Sequence, residues 1–162
     1  PRPLGLPGPD RGCKRAVKRP VKDIDYGYVG DMEKVDTSIL ADLIARDVVP
    51  VMAPLSFDGK GSLLNTNADT IASSVAKALA ERFEVTLVYC FEKAGVLRDP
   101  DDDGSVIPLI TKESFAGLVA DGTVAGGMIP KLQNALDALE GGVHEVRITR
   151  ADAPQGGTKI VL

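Results

Sequence analysis

The chain has 162 residues, 44% of them hydrophobic and 26% charged, an ordinary globular balance that suits one domain and leaves room for a second. Lys plus Arg (19) against Asp plus Glu (23) gives a net charge of −4, the wrong sign for a dedicated nucleic-acid binder, and the few aromatics, none of them Trp, supply no base-stacking platform. No run approaches about eighteen apolar residues, and no basic segment precedes an apolar one, so neither a membrane span nor a secretory signal is expected.

The chain begins at Pro1 without a Met. Its opening is basic, with Arg2, Arg11, Lys14, Arg15, Lys18 and Arg19 against the single acid Asp10. Taken alone, this reads as a disordered basic arm or as an interior loop. From Asp36 the pattern becomes regular. Asp36 or Thr37 can cap a helix carrying Ile39, Leu40, Leu43 and Ile44. Val48–Leu55 reads as a buried strand, with Pro50 and Pro54 near its ends or at irregular points. Asp58-Gly59-Lys60-Gly61 signals the tip of a hairpin.

A long helix is expected from about Asn67 to Phe83, with Ile71, Val75, Ala78 and Leu79 on one face. Val85–Cys90 is a continuous apolar strand of the parallel-sheet kind, on which Cys90 acts as a small hydrophobe. Ile107–Ile110 is a short extended piece and Lys112–Val119 a helix. A further helix from Met128 to Glu140 turns Met128, Leu132, Ala135, Leu136 and Leu139 inward and stops at Gly141-Gly142. Val143–Thr149 and Thr158–Leu162 complete the strands. Strands alternating with helices give an α/β sheet covered on both faces.

Several motifs fail. Asp99-Pro100-Asp101-Asp102-Asp103-Gly104 matches the first half of a calcium loop, but Ile110 stands where the bidentate Glu is needed, so an acidic surface turn is favoured. No P-loop and no Rossmann fingerprint is present. Cys13 and Cys90 are too far apart in sequence to suggest a framework, and His144 sits in an alternating stretch that reads as surface. A reducing, cytoplasmic setting fits this cysteine usage.

Two segments carry more. In Asn65-Thr66-Asn67-Ala68-Asp69, Asn67 can cap the long helix and Asp69 gains from its dipole, which leaves Asn65 unexplained; a ligand site and plain capping both stand. In Ala125-Gly126-Gly127-Met128-Ile129-Pro130-Lys131, two glycines precede a helix start, where unpaired N–H groups attract phosphate. Lys131 in the first turn opposes the helix dipole, so it is either solvated or aimed at an anion, and the glycines favour the anion.

With these two segments, Gly27–Asp31, Val48–Pro54, Leu87–Leu97, Gly127–Leu132 and Gly157–Ile160 keep one order and spacing across the chain from about Lys18 to Leu162. In that pattern the chain resembles the acetylglutamate kinases of the amino acid kinase superfamily. The Tyr89-Cys90-Phe91-Glu92-Lys93 and Gly126–Lys131 wording looks most like the Bacteroidetes branch, in which some members act on N-succinylglutamate.

The resemblance implies a three-layer αβα sandwich with a mainly parallel sheet, of the carbamate kinase-like kind. It also implies ATP-dependent phosphorylation of the side-chain carboxylate of N-acetyl-L-glutamate or N-succinyl-L-glutamate in arginine synthesis. ATP and Mg2+ would be the cofactors, with the metal held mainly through the nucleotide phosphates and no ligand supplied by the chain. By position, Asn65 and Asn67 resemble substrate-binding residues, Asp69 the acid that orients the catalytic lysines, and Lys131 one of those lysines. Glu92, Lys93, Ala94, Gly95, Val96 and Leu97 resemble the nucleotide-binding turn, with Thr123, Val124, Ala125, Gly126 and Gly127 across the nucleotide.

Many relatives have Asp where Gly126 stands, although this branch tolerates Gly. Nothing here matches the family's opening Lys-x-Gly-Gly turn, so the expectation is a C-terminal portion with the N-terminal lobe missing. Residues 1–24 would then be a remnant of the inter-lobe segment, open to disorder, and residues 25–162 the nucleotide-binding part. Such a portion is expected to bind ATP weakly and to show little kinase activity by itself, whereas the full-length enzyme would be a homo-oligomer with no nucleic-acid or membrane partner. A sibling kinase with another acceptor and a non-catalytic nucleotide-binding module are the alternatives.

Overall fold

The computed structural model describes residues 14–22 and 24–162. Residues 1–13 lie outside the described residues, and with them Cys13 and most of the segment read as an inter-lobe remnant. The chain divides within its long helix into a first unit ending at Ala78 and a second running from Leu79 to Leu162.

The first unit holds a mixed sheet. Strand β1 (Lys14–Lys18) pairs antiparallel with β2 (Gly30–Val35) and parallel with β3 (Leu55–Phe57). β3 turns back on β4 (Leu63–Asn65), giving the order β2-β1-β3-β4. Lys14–Lys18 therefore form a strand where the sequence left a connecting segment. The expected hairpin tip is present: one carboxylate oxygen of Asp58 accepts the N–H groups of Lys60 (2.7 Å) and Ser62 (3.0 Å). Gly30 is required by close approach, because a Cβ there would lie 2.8 Å from the Leu64 side chain and 3.1 Å from that of Ala16.

Helix α1 (Ser38–Ile44) buries only Leu40, and its entry is held by Asp36, whose carboxylate accepts the Ser38 N–H at 2.9 Å. Helix α2 (Ala68–Ala80) starts one residue later than expected, with Asn67 accepting the Thr70 N–H at 3.0 Å in a side-chain cap.

The expected strand at Val48–Leu55 does not form. Residues 48–54 carry no ladder, and Val49 and Val51 are 84% and 95% exposed. Pro50 and Pro54 have no N–H to donate, which interrupts any ladder through this stretch. An apolar run states only that burial would be favourable; a neighbouring strand has to supply it.

The second unit holds β5 (Thr86–Phe91), β6 (Leu109–Thr111), β7 (Glu145–Arg150) and β8 (Thr158–Val161) in the order β5-β7-β8-β6. β5 runs parallel to β7 and β6 parallel to β8, while β7 and β8 are antiparallel. Helix α3 (Lys112–Ala120) springs directly from β6 through a reciprocal cap between Thr111 and Ser114. Helix α4 (Met128–Glu140) packs on β7 and β8 and touches α3, which packs on β6.

The core between these layers consists of Leu132, Ala135 and Leu136 from α4 against Val146, Ile148, Ile160 and Ile110 from the sheet. Alternation along β5 puts Leu87 and Tyr89 on this buried side and leaves Cys90 exposed, against the expectation of a buried thiol. On the other sheet face, Arg147 and Lys159 stand directly opposite each other on adjacent strands. Glu145 joins them: it pairs with the Arg147 Nε and lies 2.6 Å from the Lys159 Nζ. The Arg147 and Lys159 hydrogen bonds lower the Glu145 pKa from 4.5 to about 2.

Because the folded carboxyl is the stronger acid, its contribution to stability is full above about pH 4.5 and is lost as pH falls towards 2. Glu145→Gln should therefore unfold at lower urea than the parent near pH 7, with the gap closing between pH 4.5 and 2. A gap that stays constant over this range in urea titrations would remove the ion pairs as its cause.

Candidate nucleotide cleft

The C-terminal end of β5 leads into a turn that the rest of the second unit holds tightly. A Cβ on Gly95 would lie 2.8 Å from the Thr158 Oγ1 and 3.1 Å from the Thr158 N, so only glycine lets the turn lie against β8. Thr158 is fully buried, and its Oγ1 accepts the Val96 N–H at 2.8 Å. Beyond the turn, Ile107 donates to the Val96 carbonyl (2.8 Å) and Arg98 to that of Ser105 (3.0 Å). The acidic segment thereby closes a hairpin. Within it, Asp99 and Asp102 accept the N–H groups of Asp101 and Gly104, which accounts for the D-x-D-x-D-G wording as a turn.

Opposite this turn, the loop between α3 and α4 is fixed by Asp121, which accepts the Thr123 N–H at 2.9 Å, and by the buried Val124, whose N–H reaches Leu118 at 2.8 Å. The two loops enclose a cleft of about 220 Å³. Of the residues expected at a nucleotide, Lys93, Gly95, Val96, Leu97, Thr123 and Ala125 line it. Glu92, Ala94, Val124, Gly126 and Gly127 are outside that lining. Val124 is instead part of the core, and a Cβ on Gly126 or Gly127 would meet open space at the start of α4.

Sequence reasoning missed Phe91, Pro100, Gly122 and Met128 in the cleft wall, and Thr158 as the residue that holds the turn. Phe91 and Thr158 both stand inside quoted motifs, so the signal was present without its structural meaning.

Lys131 lies in the first turn of α4, which has no side-chain cap. Its Nζ is 5.3 Å from the ring centre of Tyr89 and 5.8 Å from that of Phe91. The cleft thus has an apolar wall, backbone at its turn and a cation beside it, a combination suited to a flat ring with a phosphate tail. Among the described residues, no group of three or more His, Cys, Asp or Glu is placed to hold a metal ion.

Asn65, Asn67 and Asp69 belong to the first unit. Asn65 ends β4 with its side chain exposed and its N–H donated to Tyr28 at 2.8 Å; Asp69 is half-buried in the first turn of α2. The Asn67 amide oxygen is engaged by Thr70, as the capping reading required.

Comparison with known proteins fixes the lineage. The model of the amino acid kinase family matches residues 2–150. The chain belongs to this family. Among amino acid kinases it is 63% identical over 159 residues to the acetylglutamate kinase of Bacteroides thetaiotaomicron, a match covering 97% of this chain and 62% of that protein. The acetylglutamate kinase of Phocaeicola vulgatus is 61% identical, with 98% of this chain and 62% of the relative covered. The chain therefore spans about three-fifths of the length of the curated relatives it matches.

In three dimensions it is similar to the N-acetylglutamate synthase of Neisseria gonorrhoeae complexed with coenzyme A and L-arginine. That match has a TM-score of 0.78 at 29% identity and covers 91% of this chain and 36% of that one. Carbamate kinase from Giardia lamblia bound to AMP-PNP gives a TM-score of 0.60 at 18% identity, over 82% of this chain and 51% of that one, and shows the shared fold. The α/β fold is accordingly that of the amino acid kinases, here with two mixed sheets. No helix among the described residues is long and apolar enough to cross a membrane.

Proposed function

We propose that the chain supplies the ATP-binding part of an acetylglutamate kinase, which transfers the terminal phosphoryl group of ATP to the side-chain carboxylate of N-acetyl-L-glutamate or N-succinyl-L-glutamate in arginine biosynthesis. The observation that carries this reading is the cleft between the Lys93–Leu97 turn and the Thr123–Ala125 loop, flanked by Lys131. The identity to acetylglutamate kinases supports the choice of acceptor.

Transfer between two anions needs alignment and positive charge more than covalent work by the protein. In this reading the adenosine sits in the apolar part of the cleft against Val96, Leu97 and Met128. The phosphates extend towards the start of α4, where open space in front of Gly126 and Gly127 admits them to the backbone. Lys131 offsets the charge on the moving phosphoryl group. Asn65 and Asn67 are assigned to the acyl-glutamate, and Asp69 to orienting the lysines, on motif position alone. Mg2+, which the family resemblance implies, would supply further charge neutralisation and is assigned to the nucleotide phosphates on that resemblance alone. A cytoplasmic setting and a homo-oligomeric full-length enzyme belong to the same proposal.

The test is an ATP titration of the chain followed by NMR. Shifts are expected at Val96, Leu97, Thr123, Ala125 and Met128, and a response confined to other residues would sink the reading. Trapping of an acyl phosphate by hydroxylamine, with N-acetyl- and N-succinyl-L-glutamate offered separately to the intact enzyme, distinguishes the acceptors.

A further inference from the structure

The acidic hairpin that follows the cleft turn brings Pro100 into the cleft wall, and the segment that carries Pro100 is braced within itself. The Ser105 hydroxyl accepts the Asp99 N–H at 3.0 Å and lies 3.0 and 2.7 Å from the carbonyl oxygens of Asp99 and Asp102. Asp102 in turn donates to the Asp99 carbonyl at 3.1 Å. Residues 99–105 thus form one piece, joined to the rest of the second unit through the bridge between Leu97 and Val106.

From this piece Asp103 reaches back to the cleft turn, where the Lys93 Nζ donates to its Oδ1 at 3.3 Å. Lys93 is the one charged side chain in the cleft lining among the described residues. The ion pair therefore ties the segment that carries Pro100 to the turn that carries Gly95, Val96 and Leu97. Asp103 has a second cation nearby in Arg150, whose pKa is raised by its hydrogen bonds to Asp152 and, to a smaller extent, by the charge of Asp103. Asp152 already holds that guanidinium at 2.9 and 2.6 Å, which leaves Lys93 as the cation that Asp103 meets directly.

On charge alone, an aspartate beside a cleft for a polyanion is unfavourable, because it repels the phosphates. Its pairing with Lys93 gives it a use that offsets this. The two side chains are 45% and 64% exposed, and a pair so exposed biases an equilibrium by about twofold to fivefold. That is enough to keep a flap closed most of the time and too little to hold it shut.

We propose that Asp103 is a positioning residue: through Lys93 it latches residues 99–105 against the cleft turn, so that Pro100 retains the adenosine end of the nucleotide and release waits for the latch to open. This rests on the nucleotide reading of the cleft given above.

The readout is the split between association and release of methylanthraniloyl-ATP, followed by stopped-flow fluorescence on the full chain. Asp103→Asn should release the probe about twofold to fivefold faster while association changes by less than about twofold. The same acceleration is expected with methylanthraniloyl-ADP, because the latch acts at the adenosine end. Asp103→Glu keeps the charge and should keep the parent rate. In a Lys93→Gln background Asp103→Asn should add nothing, because the latch is already broken. Raising KCl from about 0.05 to 0.5 M should bring the parent towards Asp103→Asn by screening the pair.

Slower release from Asp103→Asn would overturn the latch and leave Asp103 as a repelling charge only, and an unchanged rate would overturn it as well. So would an Asp103→Glu variant that behaves like Asp103→Asn, or an acceleration that persists undiminished without Lys93. Each of these results leaves the nucleotide reading standing. A parent chain that does not bind the probe, or binds it without shifting the Val96 and Leu97 amide resonances, overturns the nucleotide reading itself and the purpose of the latch with it.

Discussion

Gly157→Ala should destabilise the second unit by about 3 kcal/mol or more, among the largest effects of any single methyl added to this chain. Two causes add. Gly157 has φ +82, a left-handed conformation that costs an alanine about 1 kcal/mol or more. Its Cβ would also lie 2.2 Å from the Ile148 carbonyl oxygen and 2.6 Å from the Thr149 Cβ, contacts that only a backbone shift can relieve. Overpacking of that kind costs about 1–3 kcal/mol. The shift would fall where β7 turns back into β8, the one antiparallel pairing of this sheet, so the ladder from Ile148 to Thr158 takes the damage. Urea unfolding followed by far-ultraviolet circular dichroism measures it. A change below about 0.5 kcal/mol, the size of an ordinary surface substitution, would show that the turn is more adaptable than its geometry implies.

Gly95→Ala should affect stability and ligand binding together. The added methyl would lie 2.8 Å from the Thr158 Oγ1 and from the Val106 Cγ1, and 3.1 Å from a backbone nitrogen that cannot rotate away. Relieving this lifts the turn from β8 and stretches the buried hydrogen bond from Val96 to Thr158. Leaving a buried donor unsatisfied costs about 1–3 kcal/mol. Since Gly95, Val96 and Leu97 all line the cleft, ATP affinity should fall about tenfold or more even at temperatures where the variant is fully folded. Thr158→Val, which removes the acceptor at similar volume, should reproduce much of the binding loss. If Gly95→Ala loses stability but binds ATP as the parent does, the nucleotide does not depend on this turn.

These two glycines show how differently a residue can be legible. Both stand in segments whose wording alone pointed to a nucleotide-binding kinase, yet neither motif says that the two segments meet. Gly95 is tight because Thr158, more than sixty positions away, lies behind it. Phe91 gives the same lesson: its place in the Tyr-Cys-Phe-Glu-Lys wording marked the strand end, but its ring lies beside Lys131, forty positions further along the chain on α4. Capping, by contrast, is local, which explains why the role of Asn67 could be read directly from its spacing to Thr70.

The sequence by itself determined the α/β class, the helices around α2 and α4, the parallel character of β5, the hairpin tip at Asp58–Lys60 and the lineage. Each depends on spacing within a few residues or on ordered motifs along the chain. The tertiary structure alone decided which apolar segments find a partner. Residues 48–54 and Val85–Cys90 are both apolar runs, but Pro50 and Pro54 break the donor pattern of the first and leave Val49 and Val51 exposed, whereas β5 has β7 alongside it for six consecutive pairs. It also decided that Lys14–Lys18 is a strand and that Cys90 faces outward. The physical reason is common to all of these: periodicity fixes how side chains alternate along an element, while burial depends on surfaces brought together from distant parts of the chain.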